Sequence, residues 1–232
     1  MVLFDYSREP HSDIAFVDMK SFYASCECIA LGLDPLKTSL CVMSRIENSA
    51  GLILAATPLF KKNFGSQNVS RSYNLPFDVH TRKFNFAAAR KQGLPITADY
   101  VRFIEDAAQK TLLVPPRMNY YIQKNMEIQK IFQDFAAPDD IFPYSIDEGF
   151  LDLTSSINYF IPDQTLDRRT KLDLLAARIQ QAIWKKTGIY ASIGLSNANP
   201  LLAKLALDIE AKHTKKMRVN WSYEDKIGRA HV

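Results

Sequence analysis

Two apolar runs in this chain end or break on acids. Ile14-Ala15-Phe16-Val17 leads into Asp18, and a second run, from Phe142 and Tyr144 to Phe150-Leu151, is interrupted by Asp147-Glu148. Such runs read as buried strands. An unpaired carboxylate at the end or bend of a buried strand is costly, so these acids call for a partner. A divalent cation is one solution, because hard ions such as Mg²⁺ take oxygen ligands from a few carboxylates and leave room for substrate phosphates. Three converging carboxylates suit two-metal phosphoryl or nucleotidyl transfer. Neighbouring residues on a regular strand point to opposite faces. Asp147 and Glu148 therefore converge only if a tight turn or bulge lies there, which Gly149 makes easier. The strand ending in Asp18 must also lie beside this hairpin.

At 232 residues the chain can bury a substantial core as one large domain or two small ones. No apolar run is long enough to cross a bilayer, and the first ten residues lack the basic-then-apolar order of a secretory signal. The expectation is a cytoplasmic protein with no membrane partner. Cys26, Cys28 and Cys41 are odd in number and lack a zinc-site spacing, so they read as reduced structural cysteines. The net charge of +4 is too small to argue for nucleic acid. Its clusters are Lys61-Lys62, Arg82-Lys83, Arg90-Lys91, Lys185-Lys186 and Lys212 to Arg218, which from charge alone read as solvated faces.

Periodicity places the motifs. Ile14 to Asp18 reads as a strand, followed by a helix capped by Ser21, with Phe22, Cys26, Ile29 and Ala30 at helical spacing and Gly32 at its end. Leu40–Met43 and Leu52–Ala56 read as strands. Thr57-Pro58 starts a short helix closed by Gly65. From Asn74 to Asp99 the pattern is weak and polar, as in a loop-rich insertion or a small subdomain. Met118, Tyr121, Ile128, Ile131, Phe132 and Phe135 share one face of a long helix ending before Pro138. A strand from Tyr144 to Leu153 follows. Leu172, Leu175, Ala176, Ile179 and Ile183 form a helical stripe ended by Gly188, and Ile189 to Leu195 alternates as a strand. Asn199-Pro200 starts a last helix carrying Leu202, Leu205, Ala206 and Ile209. This order suggests an α+β or split-βαβ layer.

Three segments together resemble the Y-family translesion DNA polymerases, most closely the UmuC-like bacterial branch. Ala15-Phe16-Val17-Asp18-Met19-Lys20-Ser21-Phe22-Tyr23-Ala24-Ser25-Cys26-Glu27 resembles their first motif. Tyr144-Ser145-Ile146-Asp147-Glu148-Gly149-Phe150-Leu151-Asp152-Leu153-Thr154 resembles their SIDE motif. Ser192-Ile193-Gly194-Leu195-Ser196 with Asn199-Pro200-Leu201-Leu202-Ala203-Lys204-Leu205-Ala206 resembles their third palm motif. The resemblance runs from Asp13 to Asp225.

The resemblance implies a right-hand polymerase with a ferredoxin-like palm and a small fingers subdomain. It assigns residues 1–12 to an N-terminal extension, 13–35 and 99–212 to the palm, 36–98 to the fingers and 213–226 to the start of a thumb. It implies that Asp18, Asp147 and Glu148 bind two Mg²⁺ ions, with the carbonyl of Met19 assisting one. Phe22 and Tyr23 fall where backbone amides meet the triphosphate, and Tyr23 falls at the steric gate, where a ring under the sugar leaves no volume for a 2′-hydroxyl. Lys62 and Lys204 match basic residues over the triphosphate, where a cation offsets charge on the leaving pyrophosphate. Leu59 stands near where many members carry a Tyr, and Lys62 where many carry Arg; both departures favour the UmuC branch. The linker Asn197-Ala198-Asn199 is slightly longer than the usual form.

The implied reaction is transfer of dNTP to a primer 3′-OH on a DNA template, in damage tolerance of the SOS type. Primer-template DNA and dNTP are the implied partners, with a sliding clamp engaged by a C-terminal region. The chain is expected to lack the rest of the thumb and the little finger. Its end, Ile227-Gly228-Arg229-Ala230-His231-Val232, reads as one translated frame of a sequencing adapter. Two rival readings stand beside the polymerase: a nucleotidyl cyclase-like enzyme on the same kind of palm, and a non-catalytic DNA- or partner-binding fragment.

Overall fold

The computed structural model describes residues 6–45, 50–65, 70–223 and 225. The segment 227–232, read as adapter-derived, and residues 1–5 of the N-terminal extension lie outside the described residues. In chain order the strands are β1 (Ile14–Met19), β2 (Leu40–Met43), β3 (Ile53–Ala56), β4 (Leu112–Val114), β5 (Ile141–Pro143), β6 (Glu148–Asp152), β7 (Ala191–Ser196) and β8 (Arg218–Asn220). The helices are α1 (Phe22–Ala30), α2 (Pro58–Phe64), α3 (Phe86–Gln92), α4 (Ala98–Gln109), α5 (Met118–Phe132), α6 (Ile157–Phe160), α7 (Arg168–Thr187) and α8 (Pro200–Ile209). The chain divides into two compact units, residues 1–20 with 122–232, and residues 21–121.

The first unit is built on a five-stranded sheet in the order β5-β6-β1-β7-β8. β1 is central and antiparallel to both β6 and β7. The succession β1, α5, β5, β6, α7, β7 is the βαββαβ order of a ferredoxin-like layer, with β8 added parallel to β7. One sheet face carries Ile14, Phe16 and Phe150, which pack with Ala203, Leu207 and Ala211. α8 sits very close to β7 at Gly194, where a Cβ would meet the carbonyl oxygen of Ala203 at 2.0 Å and the amide of Leu207 at 2.4 Å. Asn199 caps α8 by accepting from the amide of Leu202 at 2.9 Å. On α7 the expected stripe is buried, and Gly188 ends the helix with φ 73°.

The second unit holds a three-stranded sheet in the order β3-β2-β4. β2 pairs antiparallel with β3 and parallel with β4. Thr57 and Gly65 bound α2 as expected: the Thr57 hydroxyl accepts from Phe60, and Gly65 takes φ 61°. Phe60, Phe64, Phe77, Ile104 and Ala108 form the centre of its core. This unit begins before residue 36 and ends after residue 98, because α1 packs on β2 and β3 and because β4 completes the sheet.

Several local expectations are corrected. Ser21 occupies the position before α1 but makes no capping bond; its backbone is left-handed, with φ 50°. The segment Asn74 to Asp99 contains α3, capped by Asn85 and closed by Gly93. Met118 is exposed at the start of α5, while Tyr121, Ile128, Ile131 and Phe132 are buried. The expected strand Tyr144–Leu153 is a hairpin: β6 starts only at Glu148, and residues 144–147 form the turn after β5. β7 is buried at every position, so it does not alternate. On α8 the buried residues are Ala203, Ala206 and Leu207, whereas Ile209 is exposed, because the close seat at Gly194 selects that stripe. The three cysteines are buried and stand outside any disulfide, and burial pushes the Cys41 thiol up to about 12.

Candidate active site

Asp18 is the next-to-last residue of β1. Its cross-strand partners are Glu148, the first residue of β6, and Ser192 on β7. Directly paired residues of antiparallel strands share a face, so the Asp18 and Glu148 side chains emerge side by side, each only 15% exposed. Burial pushes the Asp18 carboxyl up to about 7. Lys212 pulls it down, while a hydrogen bond with Glu148 and the charge of Asp147 add to the upward push.

Two lysines answer this concentration of negative charge. Lys204 Nζ lies 2.6 Å from Glu148 Oε1 and 3.2 Å from Asp208 Oδ2. Lys212 Nζ lies 2.9 Å from Asp18 Oδ2, 2.9 Å from Asp208 Oδ1 and 3.8 Å from Glu148 Oε1. Burial works against the charge on Lys212, but the bonds and charges of Asp208 and Asp18 prevail and hold it above the ordinary lysine range. Lys204 also sits 5.0 Å from the ring centre of Phe16 and 5.6 Å from that of Tyr144. Lys212 had been grouped with a solvated basic run to Arg218; instead Lys212 enters the acid centre, and Arg218 pairs with Asp173 at 2.8 Å. Lys204, Asp208 and Lys212 recur every four residues, a helical spacing that could have marked Lys212 in the sequence, although α8 itself ends at Ile209.

Asp147 lies in the turn, and its side chain is directed to Ser145, whose hydroxyl donates to Oδ1 at 2.9 Å. Its carbonyl accepts from the Met19 amide at 2.9 Å. Among the described residues, no three His, Cys, Asp or Glu side chains form a group ready to hold a metal ion. The donors nevertheless suit a hard cation. Asp18 and Glu148 present adjacent carboxylate oxygens, the donor type that a hard ion takes, and the buried Ser192 hydroxyl opposite Asp18 has no hydrogen-bond partner among the described residues.

Phe22, Tyr23 and Lys62 belong to the second unit. Phe22 is buried at the first position of α1, and Lys62 is exposed on α2. The Tyr23 ring stacks on that of Tyr121, with centroids 4.4 Å apart and planes 14° apart. The Tyr121 hydroxyl donates to Glu27 Oε1 at 2.8 Å. Arg117 grips the same carboxylate, with Nε at 3.0 and 3.1 Å and Nη2 at 2.7 Å from its oxygens. Burial raises the Tyr121 phenol, and the Glu27 carboxylate raises it further. Glu27, Arg117 and Tyr121 had not been singled out as a group. The one signal was an acid within the otherwise apolar Cys26-Glu27-Cys28, four residues after Tyr23.

A ferredoxin-like layer with paired carboxylates on its central strands, and a second unit inserted after the first of those strands, is the palm and fingers architecture of a polymerase. The chain belongs to the impB/mucB/samB family, the UmuC-type Y-family polymerases and repair proteins, whose model matches residues 17–208. It is 32% identical to the putative UV-damage repair protein UvrX of Bacillus subtilis over 96% of this chain and 43% of that protein. It is 30% identical to DNA polymerase IV 2 of the same organism over 87% of this chain and 39% of that one. The chain thus spans less than half the length of these curated relatives. Among solved structures, the insertion ternary complex of Dbh DNA polymerase matches with a TM-score of 0.59 at 22% identity, over 92% of this chain and 49% of that one. DinB from Sulfolobus solfataricus matches with a TM-score of 0.56 at 20% identity, over the same shares.

Proposed function

We propose that this chain is the palm and fingers part of a UmuC-like translesion DNA polymerase that transfers dNTP to a primer 3′-OH on damaged templates and releases pyrophosphate. The observation that carries this reading is the cross-strand pairing of Asp18 with Glu148 beneath Lys204 and Lys212. Asp18, Asp147 and Glu148, with the carbonyl of Met19, would hold two Mg²⁺ ions. When bound, such ions supply Lewis-acid activation of the 3′-OH and charge compensation at the leaving oxygen. Lys204 and Lys212 offset negative charge that develops on the pyrophosphate. The second unit acts as the fingers. Its Lys62 and the amides of Phe22 and Tyr23 bind the triphosphate, and the Tyr23 ring excludes a 2′-hydroxyl. Primer-template DNA and dNTP are the partners, and a sliding clamp is met through a C-terminal region of the full-length protein.

The test is primer extension by a form extended to the length of the relatives. Asp147→Ala, or Asp18→Ala, is expected to abolish extension while leaving the fold intact. Near wild-type turnover by either variant would remove that residue from the mechanism. One observation favours a second reading, a non-catalytic DNA- or partner-binding protein. The matched part of this chain covers 98% of the B. subtilis DNA repair protein homolog YozK at 32% identity, so short relatives occur. DNA retention without extension in the same assay would support it.

A further inference from the structure

The turn that carries Asp147 is held by one side chain outside the sheet. Asn125, on α5, donates from Nδ2 to the carbonyl of Ile146 at 2.7 Å. The next carbonyl, that of Asp147, accepts from the Met19 amide at 2.9 Å. These two carbonyls belong to the two peptide planes that flank the Asp147 α-carbon. Each plane is rigid, and only φ and ψ rotate between them. Pinning both planes therefore sets φ and ψ of Asp147 and, with them, the direction of its Cβ.

Glu148 needs no such device. It pairs with Asp18 in the β1–β6 ladder, and the sheet register aims it. Asp147 stands one residue outside that ladder, so its aim comes from the turn alone. The turn amides of Tyr144 and Ser145 both donate to the Glu148 carbonyl at 3.0 Å, which closes the hairpin, and from within the turn the 146–147 peptide is held by the long bond of its amide, Asp147 N–H to Ser145 Oγ at 3.4 Å. α5 is well placed to hold that peptide. Ile128 and Phe132, three and seven residues after Asn125, are buried, and the Phe132 ring would lie 3.9 Å from a Cβ at Gly149. Asn125 thus reaches the turn from a helix whose face is seated against β6.

We propose that Asn125 is a positioning residue for Asp147: its amide, paired with the Met19 amide, fixes the backbone from which the third carboxylate, which meets the Ser145 hydroxyl in this structure, would turn to join Asp18 and Glu148 at a bound metal ion. The proposal rests on the reading of Asp147 as a metal ligand. Outer-shell partners of ligating carboxylates commonly change metal affinity by about 10- to 100-fold.

The test is Mn²⁺ binding to the 232-residue chain followed by electron paramagnetic resonance, with thermal melting alongside. Asn125→Leu keeps the side-chain size and loses the donor; Asn125→Ala loses both. Both are expected to weaken Mn²⁺ binding about tenfold, by similar amounts. Hydrogen exchange at the Met19 amide is expected to accelerate in both, while amides in the middle of α5 keep their protection. Asp147→Asn is the control. If Asp147→Asn weakens binding and the two Asn125 variants do not, the positioning role is overturned. If Asp147→Asn binds Mn²⁺ as the wild type does, or neither binds, the ligand reading of Asp147 fails and the proposal with it. Acceleration of exchange along all of α5 would reduce Asn125 to a helix-packing residue and also overturn the proposal.

Discussion

Glu27 and Arg117 show how strongly a residue's importance depends on what its neighbours leave it to face. Glu27 is only 5% exposed, and its carboxylate accepts from Arg117 and Tyr121. Removing one partner of a buried charged pair costs more than neutralising the charge in place, because the remaining ion is left uncompensated. Arg117→Ala is therefore expected to destabilise the chain by about 3 kcal/mol. Glu27→Gln keeps the shape and one acceptor, and is expected to cost about 1 kcal/mol. Urea unfolding measures both; equal losses would mean that Arg117, itself half exposed, is not what balances the Glu27 charge. At the neighbouring Tyr23, the expected effect is on selectivity rather than stability. Tyr23→Ala in the full-length enzyme is expected to raise ribonucleotide incorporation relative to deoxyribonucleotide at least several-fold, read by primer extension with each nucleotide. An unmoved ratio would make Tyr23 a packing residue.

Among the elements, α8 carries the clearest mechanical demand. Any Cβ at Gly194 meets helix backbone at 2.0 and 2.4 Å, so the helix itself must lift. At Gly149 the nearest atom is the Phe142 carbonyl oxygen at 3.2 Å, which a small shift relieves. Overpacking of this kind costs about 1–3 kcal/mol or more. Gly194→Ala is expected at or above the top of that range and Gly149→Ala near the bottom, as differences in unfolding free energy. Because Lys204 and Asp208 ride on α8, and Lys212 follows it, Gly194→Ala is also expected to weaken Mn²⁺ binding. A Gly194→Ala protein as stable as the wild type would show that α8 sits higher on the sheet than described. Elements with strong local signals were legible in advance. α2 follows from Thr57, Pro58 and Gly65, and α7 from its apolar stripe and Gly188. α3 has no clear periodicity because its apolar run, Phe86-Ala87-Ala88-Ala89, is short and lies between polar loops; only Ala88 and Ala89 are buried, and Ala89 packs in the second unit's core.

For the whole molecule, the expectation concerns DNA binding. The chain spans 43% of UvrX and 39% of DNA polymerase IV 2. Sequence-independent DNA affinity comes mainly from phosphate contacts by Lys and Arg and falls steeply with salt. The two ends of the basic cluster from Lys212 to Arg218 are engaged with acids of this chain. Little or no processive synthesis is expected from the 232-residue form at physiological salt, and extension to the length of the relatives is expected to restore DNA binding and synthesis together. Robust extension by the short form would overturn this. The sequence by itself determined the acid-ended strands, the caps of α2 and α8, and the family, because each rests on residues close together in the chain or on motifs read in order. Only the tertiary structure decided which side chains face Asp18. The register of β1 against β6 and β7 brings Glu148 and Ser192 beside it, α8 delivers Lys204 and Asp208, and the chain beyond α8 returns Lys212. The contacts of Asp18 with Glu148, Ser192 and Lys212 join residues more than a hundred positions apart, and no local propensity encodes a pairing register that is settled by how two buried faces pack.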